Sequence, residues 1–360
     1  MATPAPSSVA STTTRIRRVD PRRPGLARRR RGKGFEYTEQ HGRRVTDERT
    51  LARIRALAIP PAWNDVWICP DERGHLQAVG TDAAGRRQYL YHERWRERRD
   101  RQKHERMITF ARRLPELRAH VERDLRSHGL PRERVLAAAA RLLDRAFFRV
   151  GGETYAEQNG SYGLATIRKR HVHVQEDTVT FDFVAKAGIR RQARIGDPDL
   201  AGVVRALKRR SNGGHELLAW RSGDRWRDVR SSDINAYIKE LAGPEYSAKD
   251  FRTWHATVLA AVVLAGKDAQ ATSATSRKRL VSSAVKEVAG FLGNTPAVCR
   301  ASYVDPRVID RFMSGETVGE DLAALDAADL GKPSVQGQLE TAVLELLEGA
   351  RGRPAAVRAA

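Results

Sequence analysis

The sequence predicts an α+β protein with a small antiparallel, β-rich N-terminal domain and a larger, mainly helical domain that carries β-hairpins. Three observations lead to this prediction. Short strand-like segments separated by turn residues lie before residue 105, helical apolar spacing dominates after it, and two hairpin patterns interrupt the helices. A chain of 360 residues is long enough for two such domains.

Positive charge is the most unusual property of the composition. The chain has 65 Lys and Arg residues against 44 Asp and Glu residues, a formal net charge of +21, while 41% of its residues are hydrophobic. Neutralising phosphates releases counterions, so this charge favours a nucleic-acid partner, although acidic membranes attract the same surface.

Residues 1–34 are predicted to form a disordered basic arm. Between Arg15 and Lys33 there are ten Lys and Arg residues and one acid, Asp20, which leaves a net charge of +9. A segment of like charges repels itself and cannot bury a core. Such an arm either tethers the protein to DNA or only solubilises it.

Residues 35–105 are predicted to form the small β-rich domain. The strand-like segments are DVWICP, GHLQAVGTD and RRQYLYH, and the turn residues DERG and AAG separate them. This spacing is typical of a small antiparallel sheet.

Residues 106–320 are predicted to form the helical domain, followed by a partly helical C-terminal extension over 321–360. Helices are expected at about 232–242, 248–265, 276–292, 296–302, 306–313 and 339–349. Alternation through TVTFDFV and IRRQARI predicts a β-hairpin with Lys186 near its tip, and LLAWRSGDRWRDV predicts a second hairpin.

Several classes of protein are disfavoured by composition. Two cysteines, Cys69 and Cys299, exclude a zinc finger, make a disulfide scaffold improbable and fit a reducing cytoplasm. No run of 18 apolar residues exists, and the N-terminus lacks the apolar core of a secretory signal. We therefore expect no membrane association.

The charged residues suggest phosphoryl transfer that depends on cationic side chains. We find no carboxylate cluster with the spacing of metal ligands, because PDERG at 70–74 and DPDL at 197–200 fit a turn and a helix cap better. Arginine donates two parallel hydrogen bonds to a phosphate, and lysine can protonate a leaving oxygen. A tyrosine hydroxyl can attack phosphorus where cations favour its anion.

Several segments together resemble the catalytic domain of type IB DNA topoisomerases, in particular the poxvirus-like and bacterial branch. They are AFFRVGGETYAEQNGSYGLATIRKRHV, TFDFVAKAG, KDFRTWHATVLAA and LGNTPAVCRASYVDPRV, and they occur in the family's order. IPPAWNDVWICPDERGHLQAVGTDAAGRRQYLYH resembles that branch's N-terminal DNA-clamping domain. The resemblance covers roughly residues 50–315 and implies a recombinase-like and topoisomerase-like catalytic fold over 106–320.

The resemblance implies a catalytic set of five residues. Tyr303 matches the nucleophile, Arg149 and Arg252 match two phosphate-binding arginines, and Lys186 matches the general-acid lysine. Arg252 is expected in the first turn of a helix capped by Ser247, where a helix N-terminus favours anions. Asn294, nine residues before Tyr303, stands where much of the family has histidine.

The role of Asn294 has two interpretations. An amide can donate a hydrogen bond to phosphate but cannot carry charge, so the departure from histidine argues against proton transfer. Alternatively, Asn294 only caps the helix that ends at Gly293.

The resemblance also implies DNA contacts. Gln88, Tyr89 and Tyr91 match a major-groove contact strand, Tyr155 matches a contact beside the active site, and Lys249 matches a phosphate contact. The alternative for Tyr89 and Tyr91 is a pair of core residues. Basic residues at 86–87 and 94–103 are expected to bind phosphates and set position rather than sequence.

Together these features predict an enzyme that relaxes supercoiled double-stranded DNA through a 3′-phosphotyrosyl intermediate. The resemblance implies no cofactor, no metal and a monomer that clamps DNA, acting in the cytoplasm on the nucleoid. One alternative is a tyrosine recombinase, which shares the Arg, Lys, Arg and Tyr arrangement but usually has a helical N-terminal domain. A second is a non-catalytic basic DNA-binding protein, which would need no particular tyrosine.

Overall fold

A computed structural model of the chain describes residues 15–319, 322 and 333–349, leaving aside the side chains of Gln40, Thr154, Tyr155, Gln158 and Pro333. These residues form two compact units, and the boundary between them lies between His104 and Glu105. A 33-residue helix, Glu93–Leu125, runs through that boundary.

The N-terminal unit is built on a five-stranded antiparallel sheet. Its strands are β1 (Leu26–Arg31), β2 (Gly34–Thr38), β3 (Asn64–Ile68), β4 (Leu76–Thr81) and β5 (Arg87–Tyr91), in the order β2-β1-β3-β4-β5. Helix α1 (Glu48–Ala56), which begins at the Asp47 cap, buries Ile54 in the core of this unit. The three strands predicted between residues 64 and 92 are confirmed.

The predicted disordered arm differs from the structure. Within residues 1–34, β1 and the start of β2 are ordered, and residues 1–14 lie outside the described residues. Backbone pairing of β1 with β2 and β3 orders this segment despite the charge repulsion. The Arg28 side chain adds hydrogen bonds to the carbonyls of Ile59, Pro60 and Trp63, and its guanidinium lies 4.2 Å from the Phe35 ring centroid.

The second unit is mainly helical. Its helices, counting Glu93–Leu125 as α2, are α3 (Arg132–Ala146), α4 (Glu153–Asn159), α5 (Pro198–Arg209), α6 (Ser231–Ala242), α7 (Ala248–Ala265), α8 (Ala274–Leu292), α9 (Pro296–Ser302), α10 (Pro306–Met313) and α11 (Pro333–Glu348). Helix α7 is buried along almost its whole length and forms the centre of the core.

Both predicted hairpins are confirmed. Strands β6 (Val172–Gln175), β7 (Thr178–Val184) and β8 (Arg190–Gly196) form a three-stranded sheet, and β9 (Ala219–Ser222) pairs with β10 (Arg225–Asp228). On β7, Val179, Phe181 and Phe183 are buried, as alternation requires. The predicted helices between residues 232 and 313 are confirmed to within two residues at either end.

The C-terminal helix α11 joins the core of the second unit. It packs on α7 and α10 and buries Leu339, Val343 and Leu346. It begins six residues earlier than the helix predicted at 339–349. The extension is therefore a structural part of the helical unit where it is described.

Candidate functional site

Arg149 lies in a loop that two glycines hold in place. It follows α3 by three residues, after Phe147 ends the helix in a left-handed conformation with φ of 54°. The loop passes so close to Gly163 that a Cβ on Gly151 would lie 2.8 Å from the Gly163 Cα, and the φ of Gly151 is +81°. Only glycine combines that conformation with that approach, which explains Gly151, and the same close approach leaves no room for a side chain on Gly163.

Arg252 is buried at the centre of the site. Only 4% of it is exposed, and it donates from Nη1 to the Phe147 carbonyl (2.6 Å) and from Nη2 to the Leu292 carbonyl (2.9 Å). It is the fifth residue of α7, so the expectation of a first-turn position is wrong. The first turn is instead capped by Asp250, whose carboxylate accepts a hydrogen bond from the Ser247 backbone N–H at 2.8 Å.

Lys186 lies at the tip of the β7–β8 hairpin, as predicted. The turn is tight, since Ala185 donates to the Ile189 carbonyl at 2.8 Å and both Ala187 and Gly188 have positive φ. The Lys186 side chain is exposed, with the apolar residues Val184 and Ile189 exposed on either side of it. The hairpin therefore presents one long cationic side chain beyond the sheet.

Arg191 is a residue of the site that the sequence interpretation missed. It lies on β8 and donates to the carbonyls of Phe291 (2.5 Å) and Ala146 (3.0 Å), which lie in the last turns of α8 and α3. It lines the same cavity as Arg149 and Arg252. The alternation of IRRQARI indicated that Arg191 lies on the opposite face of the strand from the exposed Arg190. Alternation alone does not identify the groups that Arg191 contacts.

Asn294 contacts Arg149 directly. Gly293 ends α8 with φ of 63°, and the Asn294 backbone N–H donates back to the Ala289 carbonyl at 2.8 Å. Arg149 Nη2 donates to Asn294 Oδ1 and to the Gly293 carbonyl. A guanidinium has only donors, so the amide oxygen faces Arg149 and the amide nitrogen, Nδ2, is left buried without a hydrogen-bond partner.

Tyr303 is held against α7 by its backbone. It follows the last residue of α9, its N–H donates to the Cys299 carbonyl (3.0 Å), and its carbonyl accepts from Thr257 Oγ1 (3.3 Å). The ring is half-buried, and its centroid lies 5.5 Å from the Arg252 guanidinium carbon. Two residues on, Asp305 caps the start of α10 and donates its N–H to the same threonine oxygen.

Burial and the repulsion between arginines dominate the electrostatics of this site. Burial and the charge of Arg149 lower the pKa of Arg191, and the same two causes lower the pKa of Arg252 to about 10, while Tyr303 acts in the opposite direction on Arg252. Among the described residues, no carboxylate forms an ion pair with Arg191 or Arg252; both donate to backbone carbonyls. Arg252 Nε is buried with no hydrogen-bond partner.

A buried charge network supports the helices that carry the site. Asp144 of α3 accepts from Arg118 of α2 at 2.8 Å, and Arg118 also donates to Glu340 of α11 at 2.7 and 2.8 Å. His255, one turn beyond Arg252 on α7, has its Nε2 at 3.2 Å from Asp144 Oδ1. The network thus ties α11 to the helices on which Arg149 and Arg252 depend.

The predicted DNA-contact strand is β5 of the N-terminal unit. Tyr89 and Tyr91 are 49% and 41% exposed, with ring centroids 6.3 Å apart, so they are not a core pair. By strand alternation Gln88 belongs to the other face of β5, where its amide donates to Asp82 at 2.9 Å. The structure therefore brings the two tyrosines together and separates Gln88 from them.

The remaining two predicted contacts lie at helix positions. Tyr155 belongs to α4, and its side chain lies outside the described residues. Lys249 is the second residue of α7 and is exposed, three residues before the buried Arg252. Within the part of the chain that is described, no three His, Cys, Asp or Glu side chains gather as metal ligands, and no helix is long and apolar enough to cross a membrane.

Two family models match this chain. Residues 92–314 match the family model of the eukaryotic DNA topoisomerase I catalytic core, and residues 34–82 match that of the bacterial DNA topoisomerase IB N-terminal domain. The chain belongs to the type IB DNA topoisomerase family. It is thus a DNA-binding isomerase, a type IB DNA topoisomerase.

Individual relatives support the same family. The DNA topoisomerase 1B of Acanthamoeba polyphaga mimivirus is 31% identical over 287 residues, which cover 78% of this chain and 85% of the viral protein. The DNA topoisomerase 1B of vaccinia virus (strain Copenhagen) is 20% identical over 64% of this chain and 71% of its own length. The DNA topoisomerase 1 of Daucus carota is 27% identical over 35% of this chain and 15% of its own length.

Proposed function

We propose that this topoisomerase relaxes supercoiled duplex DNA by cutting one strand transiently, with Tyr303 as the nucleophile and a 3′-phosphotyrosyl intermediate. The observation that carries the proposal is a cavity lined by Arg149, Arg191 and Arg252, of which Arg252 also lies 5.5 Å from the centroid of the Tyr303 ring. Family membership supports DNA as the substrate, and the proposal concerns how these residues act on it.

The arginine cluster suits a phosphate in its pentacoordinate state. Each guanidinium is oriented by backbone carbonyls, and the charges of Arg149, Arg191 and Arg252 oppose one another. A phosphate between them relieves that repulsion and accepts from donors such as Arg252 Nε. These backbone contacts hold the three guanidinium groups in place before DNA binds, so the side chains need little reorganisation during the reaction.

The proposed chemical step exchanges one ester for another. The Tyr303 oxygen forms a bond to phosphorus while the bond to the 5′-oxygen breaks; the phenol proton passes to water and Lys186 protonates the leaving 5′-oxygen. The exposed position of Lys186 at a hairpin tip lets it reach a strand that is bound outside the protein. Torque then rotates the free strand, and the 5′-hydroxyl attacks the phosphotyrosyl bond to reseal it.

The covalent intermediate conserves the energy of the phosphodiester, so we propose that relaxation requires neither ATP nor a metal ion. We further propose that one copy of the chain acts on nucleoid DNA in the cytoplasm, with Tyr89 and Tyr91 touching the duplex. The β-sheet of the N-terminal unit favours this activity over that of a tyrosine recombinase, for which a helical domain is typical.

The wild-type enzyme provides the test. Purified protein is incubated with negatively supercoiled plasmid, excess chelator and no ATP, and the topoisomers are resolved on a gel. Denaturant then traps the covalent complex, and its peptide and DNA ends are mapped. We expect ladders of relaxed plasmid, a modified Tyr303 peptide and a free 5′-hydroxyl. Strand exchange without relaxation, or attachment to the 5′ end, would contradict the proposal.

Asn294 offers a prediction that separates its two interpretations. We expect Asn294→Asp to slow cleavage by ~10²–10³, because it retains the acceptor for Arg149 but replaces the Nδ2 donor with a negative oxygen facing the phosphate. Asn294→Ala removes both contacts and Asn294→His restores a donor. The measurement is single-turnover cleavage of a short duplex, with the thermal midpoint recorded for each variant.

The competing interpretation of Asn294 makes a different forecast. If the residue only caps α8 or orients Arg149, Asn294→Asp should cleave at nearly the wild-type rate while Asn294→Ala loses stability. That pattern would remove Asn294 from the set that binds the phosphate.

A further inference from the structure

Arg191 connects the hairpin that carries Lys186 to two helices of the site. It lies on β8, five residues beyond Lys186, and is half-buried. Its Nη1 donates to the Phe291 carbonyl (2.5 Å) and its Nη2 to the Ala146 carbonyl (3.0 Å). Ala146 is the last residue of α3, and Phe291 is the last but one of α8. One guanidinium thus bridges the C-terminal ends of two helices.

The end of α8 binds three arginines through three consecutive carbonyls. These are the carbonyls of residues 291–293, the last two residues of α8 and its cap, and they accept in turn from Arg191, Arg252 and Arg149 at 2.5, 2.9 and 2.7 Å. The last carbonyls of a helix lack intrahelical partners and carry partial negative charge, so they attract cations. One helix end therefore sets the spacing of all three guanidinium groups.

The end of α3 repeats this arrangement with two of the three arginines. Arg191 donates to the carbonyl of Ala146, and Arg252 donates to the carbonyl of Phe147 at 2.6 Å. Arg191 and Arg252 therefore join the same two helix ends, one residue apart along each. Because β8 is held by the backbone segments that also hold Arg252, a shift of β8 relative to Arg252 would break hydrogen bonds at both helix ends.

The other strand of the hairpin is attached at the matching level. Val184, the last residue of β7, accepts at its carbonyl from the Tyr162 N–H at 2.8 Å. In the sheet, Val184 lies opposite the residue before Arg191. The turn at residues 185–189 projects beyond these two attachments and contains Lys186. The attachments therefore determine where the Lys186 side chain can reach.

The geometry of a guanidinium suits this bridge. Arginine presents its N–H donors in a rigid plane and can hold two carbonyls at once, whereas the ammonium of lysine is a point charge on a flexible stem. Both terminal nitrogens of Arg191 donate to the protein, while Arg252 in addition has Nε buried with no hydrogen-bond partner. Of the two, Arg252 is therefore the better phosphate ligand and Arg191 the better brace.

We infer that Arg191 is a positioning residue for the general acid: by joining β8 to the ends of α3 and α8, it places Lys186 beside the leaving 5′-oxygen. The inference rests on the proposed function, which assigns proton donation to Lys186. A displacement of about 1 Å can cost ~10² in rate. A residue that acts through Lys186 matters only where the leaving group needs a proton.

A sulfur leaving group tests this dependence. A short duplex contains a cleavage site mapped with the trapped complex, and the 5′-bridging atom at that site is either oxygen or sulfur. With sulfur, the Tyr303 oxygen bonds to phosphorus, the phosphorus–sulfur bond breaks and the phenol proton passes to water. The sulfur leaves as a thiolate without a proton, because a thiol has a pKa of only ~8.5. Single-turnover formation of the covalent complex is measured with both duplexes.

The main variant is Arg191→Lys, which keeps the positive charge and removes the planar bridge. Its matched control is Arg190→Lys, the same substitution at the neighbouring position, where the side chain is exposed on the other face of β8 and donates to Asp182. Exposed ion pairs contribute little, so the control should cleave both duplexes at close to the wild-type rate. Lys186→Met serves as the reference for loss of the acid.

We expect Lys186→Met to slow cleavage of the oxygen duplex by ~10²–10⁴ and Arg191→Lys to slow it by ~10–10². Both variants should cleave the sulfur duplex within a few-fold of the wild type. On the oxygen duplex, the variant with both substitutions should be no slower than Lys186→Met, because two residues that act through one group are not additive.

Two results would overturn the inference alone. One is a loss in Arg191→Lys that persists with sulfur while Lys186→Met is rescued, because Arg191 would then act on the phosphate or on folding only. The other is a wild-type rate for Arg191→Lys with oxygen, because charge without the bridge would then be sufficient. If sulfur does not rescue Lys186→Met, the general-acid assignment in the proposed function fails and the inference fails with it.

The ratio of the two rates separates positioning from loss of the fold. A variant that is partly unfolded loses activity equally with oxygen and with sulfur, so its ratio stays that of the wild type. Thermal unfolding is recorded for each variant, and Arg191→Gln provides a second substitution that is too short to bridge both helix ends. We expect the same selective loss with oxygen in Arg191→Gln, and an unchanged ratio in both variants would overturn the inference.

Discussion

Replacing Tyr303 with phenylalanine is expected to abolish plasmid relaxation and covalent complex formation, with a rate loss on the order of 10⁴–10⁶. The substitution removes one oxygen. The ring still packs on the core and remains beside Arg252, and the backbone bonds to Cys299 and Thr257 do not involve the side chain. Folding and duplex affinity should therefore stay close to those of the wild type.

A matched tyrosine makes this experiment specific. Tyr162 is half-buried and lines the same cavity as Arg149 and Arg252, and its hydroxyl is 3.5 Å from Arg170. Tyr162→Phe should relax plasmid within a few-fold of the wild-type rate. Relaxation by Tyr303→Phe at a comparable rate would remove Tyr303 as the nucleophile, whatever the result for Tyr162→Phe.

Replacing Arg118 with methionine is expected to lower the free energy of unfolding by about 3–5 kcal/mol. The side chain is the cation between two buried carboxylates, Asp144 and Glu340, which are 3% and 5% exposed. Without it, two like charges remain buried with no cation of their own. Chemical denaturation at neutral pH measures the loss, and Arg118→Met with Glu340→Gln should regain part of it.

The pH dependence of the same variant has a definite sign. Burial by itself would raise the pKa of Asp144, but the charge and hydrogen bonds of Arg118, together with the adjacent His255, outweigh it and hold that pKa below the ordinary range. In the wild type this stability is present above the ordinary pKa of ~4 and is lost as the pH falls toward the folded-state pKa. In Arg118→Met no arginine lowers the pKa of Asp144. The difference in the free energy of unfolding between the two proteins should therefore shrink on acidification. A difference that stays constant between about pH 5 and pH 2 would show that the network is not the cause.

The network also gives the C-terminal extension a role that sequence did not suggest. Glu340 and Gln336 of α11 reach Arg118 and Asp144, which support the helices before Arg149 and around Arg252. Sequence composition identifies α11 as apolar and helical, but residue spacing does not show which cation pairs with Glu340. That cation is Arg118, which lies 222 positions away in the sequence.

Local sequence patterns were enough to predict the secondary structure around the site. Alternation in TVTFDFV and IRRQARI predicts the hairpin with Lys186 near its tip, and helical spacing predicts the helices at 296–302 and 306–313 that flank Tyr303. These features depend on residues within a few positions of one another, so a sequence contains the information for them.

The basic arm and Arg252 show where local patterns fail. Net charge predicts disorder for residues 26–31, yet their backbone pairs with β2 and β3 and Arg28 finds three carbonyls far along the chain. A cap at Ser247 predicts an anion at the N-terminus of α7, yet Asp250 occupies that end and Arg252 turns into the core. Each error arises because a distant acceptor outweighs the local preference.

The sequence by itself determined the fold class, the two hairpins, the helices that flank Tyr303 and the family resemblance, because all of these depend on short-range spacing. Only the tertiary structure decided that Arg149, Arg191 and Arg252 share one cavity and that the Asn294 amide oxygen faces Arg149. Those outcomes depend on carbonyls and charges that packing brings together from distant parts of the chain, and no periodicity encodes such distances.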